Sequence, residues 1–200
     1  MKSFRICMQN IRKWGSNSRI KMCLIMSFLF VYSYISGMWK IIPLVGEKMN
    51  PWIFPFLFCW RFMKIVFMAP IVFIFCDAPF IDSNQSYVML RTSRKKWCFG
   101  QVLYIYAGSV IYAFVLFFST IIINIGHIKW GTSWGKVLGS AGTSTVLSTL
   151  GINYTTVKVP TIVIRYYTPA QAMFFSFLLM VLSFIFIGLL IYTVNVITKT

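Results

Sequence analysis

The chain has 200 residues, 58% of them hydrophobic and 11% charged, with 19 Lys and Arg against 3 Asp and Glu. A water-soluble domain carries about 25% charged residues, so this composition excludes an ordinary soluble domain and makes lipid the solvent. A pI near 10 on a water-soluble surface would suggest nucleic acid. Here the cations fall between apolar tracts, as topology signals and anionic-lipid contacts do, so membrane lipid rather than nucleic acid is the expected partner.

Residues 1–21 form a basic segment with Lys2, Arg5, Arg12, Lys13, Arg19 and Lys21. This basic region is long and no clear small-residue cleavage site follows it, so it does not read as a cleavable signal peptide. The expectation is a cytoplasmic N-terminal segment.

A bilayer core about 30 Å thick takes roughly 20 apolar residues of helix. Met22–Trp39 is the first such tract and holds no charge. Tyr34 and Trp39 suit its outer interface, where amphipathic rings settle. Trp52–Cys76 is the second, with Arg61 and Lys64 near its middle. Each central cation costs about 2.5–3.5 kcal/mol on insertion, and the Leu, Ile, Phe and Val residues return roughly 6 kcal/mol in sum, so the terms nearly cancel. Such a span needs neighbouring helices, snorkelling or a water-filled groove. Arg61 and Lys64, three residues apart, share a helix face and are candidates for lining a polar path. Pro55 and Pro70 kink this helix or mark irregular ends.

Val102–Ile125 is the third span, with Asn124 at its outer end, and Ala170–Ile197 the fourth. Asn124 joins Arg61 and Lys64 as a polar-path candidate, although a helix-packing hydrogen bond explains it more simply. Residues 22–126 thus hold spans one to three, residues 127–168 an extracytoplasmic loop, and residues 169–200 the fourth span with a short tail. The 127–168 connection is rich in Gly, Ser and Thr, offers a short interfacial helix at Lys136–Leu150, and carries the glycosylation pattern Asn153–Thr155. The denser cation sets lie in 1–21 and in the loop after span two, which places both termini in the cytoplasm.

The loop 77–100 is the richest stretch: "DAPFIDSNQSYVMLRTSRKKWCFG". Pro79 biases Ala78 away from helix. Asp82 with Gln85 three residues on resembles a capping box, and an acid suits a helix N-terminus. Tyr87, Val88 and Leu90 follow as an apolar set, then Arg91, Arg94 and Lys95, read as lying towards the C-terminal end of that helix, with Lys96 completing the basic run. The pattern predicts a short amphipathic helix over 82–94 along the inner membrane face; a plain positive-inside loop is the simpler alternative. The fold class expected is all-α, a transmembrane helical bundle of about four spans with this cytoplasmic coupling-type helix.

Catalytic chemistry finds little support. Cys7, Cys23, Cys59, Cys76 and Cys98 form no CxxC pair, and His127 is the sole histidine, so no zinc site or cofactor is expected. Asp77 and Asp82 lack a His or metal cluster and read as a span end and a helix cap. No GxxxxGK[ST] occurs, so the chain holds no phosphate-binding loop of its own and is not expected to be an enzyme.

"DAPF" followed by "LRTSRKKW" and the Tyr-rich "QVLYIYAGSVIYAFVLFF", with "WGKVLGSAGTS" and "TPAQAMFFSFLL", resembles the membrane subunits of bacterial ATP-binding-cassette transporters of the type-2 permease class. The resemblance covers most of the chain beyond span one. It implies a coupling helix between spans two and three that docks on a cytoplasmic ATPase. In that reading Asp82, Gln85, Tyr87, Val88, Leu90, Arg91 and Arg94 contact the ATPase, and a second permease copy or a related subunit completes the path in the bacterial cell membrane. Such permeases usually have six spans. Four here suggest a naturally short permease, a truncated product or half of a split one. The competing expectation is a small polytopic membrane protein without transport activity, such as an immunity or membrane-interaction factor.

Overall fold

The computed structural model describes residues 2–39, 41–79, 92–142 and 159–198. The described residues are helical and contain no named strand; one isolated parallel bridge joins Met49 and Ile128. In chain order the helices are α1 (Lys2–Arg12), α2 (Ser18–Trp39), α3 (Ile42–Val45), α4 (Arg61–Phe75), α5 (Arg94–Asn124), α6 (Gly135–Gly142), α7 (Thr161–Tyr166) and α8 (Pro169–Thr198). Short 3₁₀ turns occupy Lys13–Gly15, Phe54–Phe58 and Ile125–His127.

Three of these, α2, α5 and α8, are long and apolar enough to cross a membrane. Their 22, 31 and 30 residues correspond to about 33, 46 and 45 Å at 1.5 Å per residue. On α8 the side chains Phe174, Leu178, Leu182, Phe186, Leu190 and Val194 are all exposed and recur every four residues. A contiguous apolar stripe of this length does not persist on a water-soluble monomer, whereas lipid solvates it. The chain is accordingly a membrane protein.

The second expected span differs. Trp52–Cys76 is not one helix: a 3₁₀ turn at Phe54–Phe58 precedes α4, whose 15 residues extend only about 22 Å. Pro55 sits at the start of the turn, where its missing N–H and fixed φ favour a break from continuous helix. The break sets Arg61 in the first turn of α4 and not at the middle of a span. Pro70 is accommodated inside α4.

The basic 1–21 segment also differs from a plain tail. It contains α1, which buries Ile6, Cys7 and Asn10, and it already enters α2 at Ser18. The 127–168 connection holds α6 and α7; the expected interfacial helix at Lys136–Leu150 is seen as Gly135–Gly142, and residues 143–150 and the Asn153–Thr155 pattern lie outside the described residues.

The chain folds as two compact units. The first comprises Met1–Met26, Met68–Phe114 and Met180–Thr200. Its interior is aromatic: Phe75 meets Tyr104 edge-on with ring centroids 5.6 Å apart, and Tyr112 meets Phe184 at 5.2 Å. Gly188 lets α8 approach closely, because a Cβ there would lie 2.6 Å from Ile105 Cγ2 and 2.9 Å from Phe75 Cδ2. Gly108 admits the Phe75 ring and Trp14 in the same way, at 3.0 and 3.1 Å.

The second unit comprises Ser27–Phe67 and Val115–Leu179. Phe54 packs on Phe117 and Phe177, and Phe56 on Trp134. Tyr34, expected at an interface, is buried and donates its hydroxyl to the Phe56 carbonyl at 3.0 Å. A burial this complete requires such a partner. Indole N–H groups tie the connections: Trp52 donates to Gly131 O at 2.8 Å and Trp134 to Tyr167 O at 3.0 Å.

Candidate partner-docking site

The segment expected to dock a partner begins after α4 and ends at α5. Asp82, Gln85, Tyr87, Val88, Leu90 and Arg91 lie outside the described residues. Both flanks of the segment are described.

On the leading side, α4 ends at Phe75 and the backbone turns through Cys76, Asp77 and Ala78. Two helices grip this turn. From α8, Asn195 Nδ2 donates to the carbonyls of Cys76 and Ala78 at 2.9 and 2.7 Å. From the first turn of α2, the Arg19 guanidinium pairs with the Asp77 carboxylate. The magnitudes rank these differently. The ion pair is about 40% exposed on each side, and exposed pairs contribute about 0–1 kcal/mol. Two partly buried hydrogen bonds contribute about 1–3 kcal/mol together, so Asn195 dominates the grip. Asp77, expected as the simple end of a span, therefore has a specific partner.

On the trailing side, Ser93 adopts φ 70° and separates Thr92 from α5. A positive φ is uncommon outside glycine, and here it gives the backbone a sharp change of direction. Arg94 is thus the first residue of α5, not the last turn of a docking helix. This reverses the electrostatic expectation. Arg94, Lys95 and Lys96 stand in a helix first turn without an acidic residue, at the positive end of the helix dipole, where cations are disfavoured. All three are exposed. Arg94 and Lys95 with Cys98, Phe99 and Val102 border an open, largely apolar depression of ≈ 490 Å³. Cys98 Sγ lies 3.0 Å from the Tyr192 hydroxyl of α8.

The start of α5 is braced by α1. Ser3 Oγ donates to Lys96 O at 3.0 Å, and Ile6 packs where a Cβ on Gly100 would fall 3.0 Å away. Asn10 donates to Gln101 at 3.0 Å, both side chains buried, and Trp14 Nε1 donates to the Tyr104 hydroxyl at 2.9 Å. Asn10, Asn195 and Arg19 were not singled out as site residues from the sequence. The available signal was polarity out of place: an uncompensated Asn three residues from the end of an apolar helix, and an amphipathic repeat inside a basic segment.

The three polar-path candidates fall on two helices, Arg61 and Lys64 on α4 and Asn124 on α5. Arg61 and Lys64 are exposed on the first turn of α4, beside exposed Phe62 and Ile65. Asn124 is fully buried, accepts from Trp39 Nε1 at 3.1 Å and donates to Thr120 O at 2.8 Å. Its amide therefore works in helix packing, and Trp39 stacks near His127 with centroids 5.1 Å apart.

Among the described residues no group of three His, Cys, Asp or Glu side chains could hold a metal ion. No known protein family, curated protein or solved structure matches the chain.

Proposed function

We propose that the chain is the transmembrane subunit of an ATP-binding-cassette transporter, docking a separate cytoplasmic ATPase through residues 82–94. The supporting observation is the anchoring of the backbone on both flanks of that segment. The turn Cys76–Ala78 that precedes it is gripped by Asn195 and Arg19, and Arg94 opens α5, which α1 braces. A push on the segment is therefore delivered to α2, α4, α5 and α8 together. A loop that served only as a topology signal would need no such grip. The cations at the α5 N-terminus fit the same reading, since an anionic neighbour offsets their poor position on the helix dipole.

In this proposal the 3₁₀ turn and α4 jointly form a fourth, irregular crossing between α2 and α5. Irregular backbone within a membrane is tolerated only where protein or water covers it. The exposed Arg61–Lys64 face is then completed by a second copy or a related permease, which forms the path with it. Both termini face the cytoplasm of a bacterial cell by the cation distribution. The chain binds no nucleotide itself, and hydrolysis belongs to the partner.

Affinity capture in mild detergent tests the reading. An ATP-hydrolysing subunit should co-purify and should be lost on combining Asp82→Lys with Leu90→Glu, while Arg61→Gln retains it. Capture without ATPase activity across several detergents overturns the proposal and leaves a polytopic protein without transport activity.

A further inference from the structure

Helix α1 presents three stripes, and among the described residues only one is buried. Ile6, Cys7 and Asn10 are buried against the chain. Phe4 and Met8, one turn apart, are exposed at 58% and 38% and form an apolar stripe that Ile11 extends. Arg5 and Arg12, two turns apart, form a third stripe with Gln9, and all three are exposed. A water-facing helix has no use for an exposed Phe–Met stripe beside an arginine stripe. A helix lying in a bilayer interface uses both: the apolar stripe enters the acyl boundary and the cations meet the headgroups.

The position of α1 fits that occupant. The 3₁₀ turn Lys13–Gly15 with Ser16 and Asn17 separates it from α2, whose start is fixed by the Arg19 N–H donating to Asn17 Oδ1 at 3.1 Å. Helix α2 is long and apolar enough to cross a membrane, so α1 ends five residues before that helix and lies close to the bilayer surface. Ser3 places the other end of α1 beside Lys96 of α5, where Arg94 and Lys95 are exposed. The start of α1, with Arg5 in its first turns, thus lies beside the cationic start of α5.

We infer that α1 is an interfacial helix that binds the anionic lipid surface through Arg5 and Arg12, with Phe4 and Met8 inserted below the headgroups. The contact holds α1 against α5 at the trailing end of the 82–94 segment, so anionic lipid stabilises the brace. This inference needs only a membrane-embedded chain and stands apart from the ATPase reading.

Hydrogen exchange on the full chain tests it, in nanodiscs of phosphatidylcholine alone and with half phosphatidylglycerol. A cation near an anionic surface shifts the equilibrium about fivefold. Two arginines predict exchange over residues 2–12 about 25-fold slower in the anionic discs, with little change over 174–190. Combining Arg5→Glu with Arg12→Glu should abolish the difference between the lipids, and combining Arg5→Lys with Arg12→Lys should retain it. Equal exchange of the native chain in both lipids overturns the inference. So does a lipid difference that survives charge reversal, or one that is lost in the charge-conserving variant, which controls for misfolding.

Discussion

Gly188 offers the sharpest packing test, because it sits where α8 meets α4 and α5 beneath the gripped turn. Adding one methyl group at Gly188→Ala places a Cβ 2.6 Å from Ile105 Cγ2 and 2.9 Å from Phe75 Cδ2. Neither neighbour has room to yield, since Ile105 and Phe75 are both fully buried. Overpacking of this kind costs about 1–3 kcal/mol, and contacts this short belong at the upper end. Alanine returns about 1 kcal/mol of helix propensity over glycine, so strain wins by about 2 kcal/mol. For a chain of this size that lowers the melting temperature by roughly 4–8 °C. Tryptophan-monitored unfolding in detergent measures it. Ile105→Ala alone creates a cavity costing about 2–5 kcal/mol, and in combination with Gly188→Ala it should cost less than the sum by about 0.5–3 kcal/mol. Gly139→Ala is the control: nothing lies within 4 Å of that Cβ, so only the favourable propensity term remains. Wild-type stability for Gly188→Ala, or additive single costs, would refute the three-helix junction.

Three further outcomes follow from the geometry. Asn195→Leu removes both hydrogen bonds to the Cys76 and Ala78 carbonyls and should destabilise by about 1–3 kcal/mol, whereas Arg19→Gln should cost less than about 1 kcal/mol; unfolding midpoints of the two variants decide the ranking, and the opposite order refutes it. Gln101→Ala strands the buried Asn10 amide and should loosen α1, raising alkylation of the buried Cys7 roughly tenfold; burial also pushes the Cys7 thiol pKa up, so the intact protein should react slowly. The hydrogen bond and charge of Lys136 hold the Glu47 carboxyl below its ordinary range. The pair's contribution is therefore present above the usual carboxylate pKa and is lost as pH falls through the depressed value. Glu47 is the sole glutamate, so its ¹³C-carboxyl signal can be titrated directly, and Lys136→Gln should move the midpoint upward.

The sequence made the apolar helices legible for a simple reason. Tracts such as Val102–Ile125 and Ala170–Ile197 have no competing reading at that length without charge; α5 starts at Arg94 and ends one residue short of Ile125, and α8 exceeds its tract by one residue at each end. Boundaries were less legible, because they depend on single backbone angles: the φ of Ser93 moved Arg94 from the end of one helix to the start of the next. The second span failed as a continuous helix where Pro55 and a run of aromatics favoured a 3₁₀ turn packed on Phe117 and Phe177. Helix α1 was hidden because its cations dominated the reading of residues 1–21, although its buried stripe recurs at helical spacing. The grip on the turn was not legible at all. It joins Asn195 to carbonyls more than a hundred residues away, and backbone acceptors leave no residue-specific mark in a sequence.

The central claim is that residues 82–94 bind an ATPase, and a photo-crosslinker placed at Leu90 in the full chain tests it most directly. Irradiated membranes should yield one predominant protein adduct, and mass spectrometry of that adduct should find the GxxxxGK[ST] phosphate-binding loop. A crosslinker at the buried Tyr112 should yield no such adduct. Adducts at Leu90 restricted to lipid, or to a protein without that loop, would contradict the account.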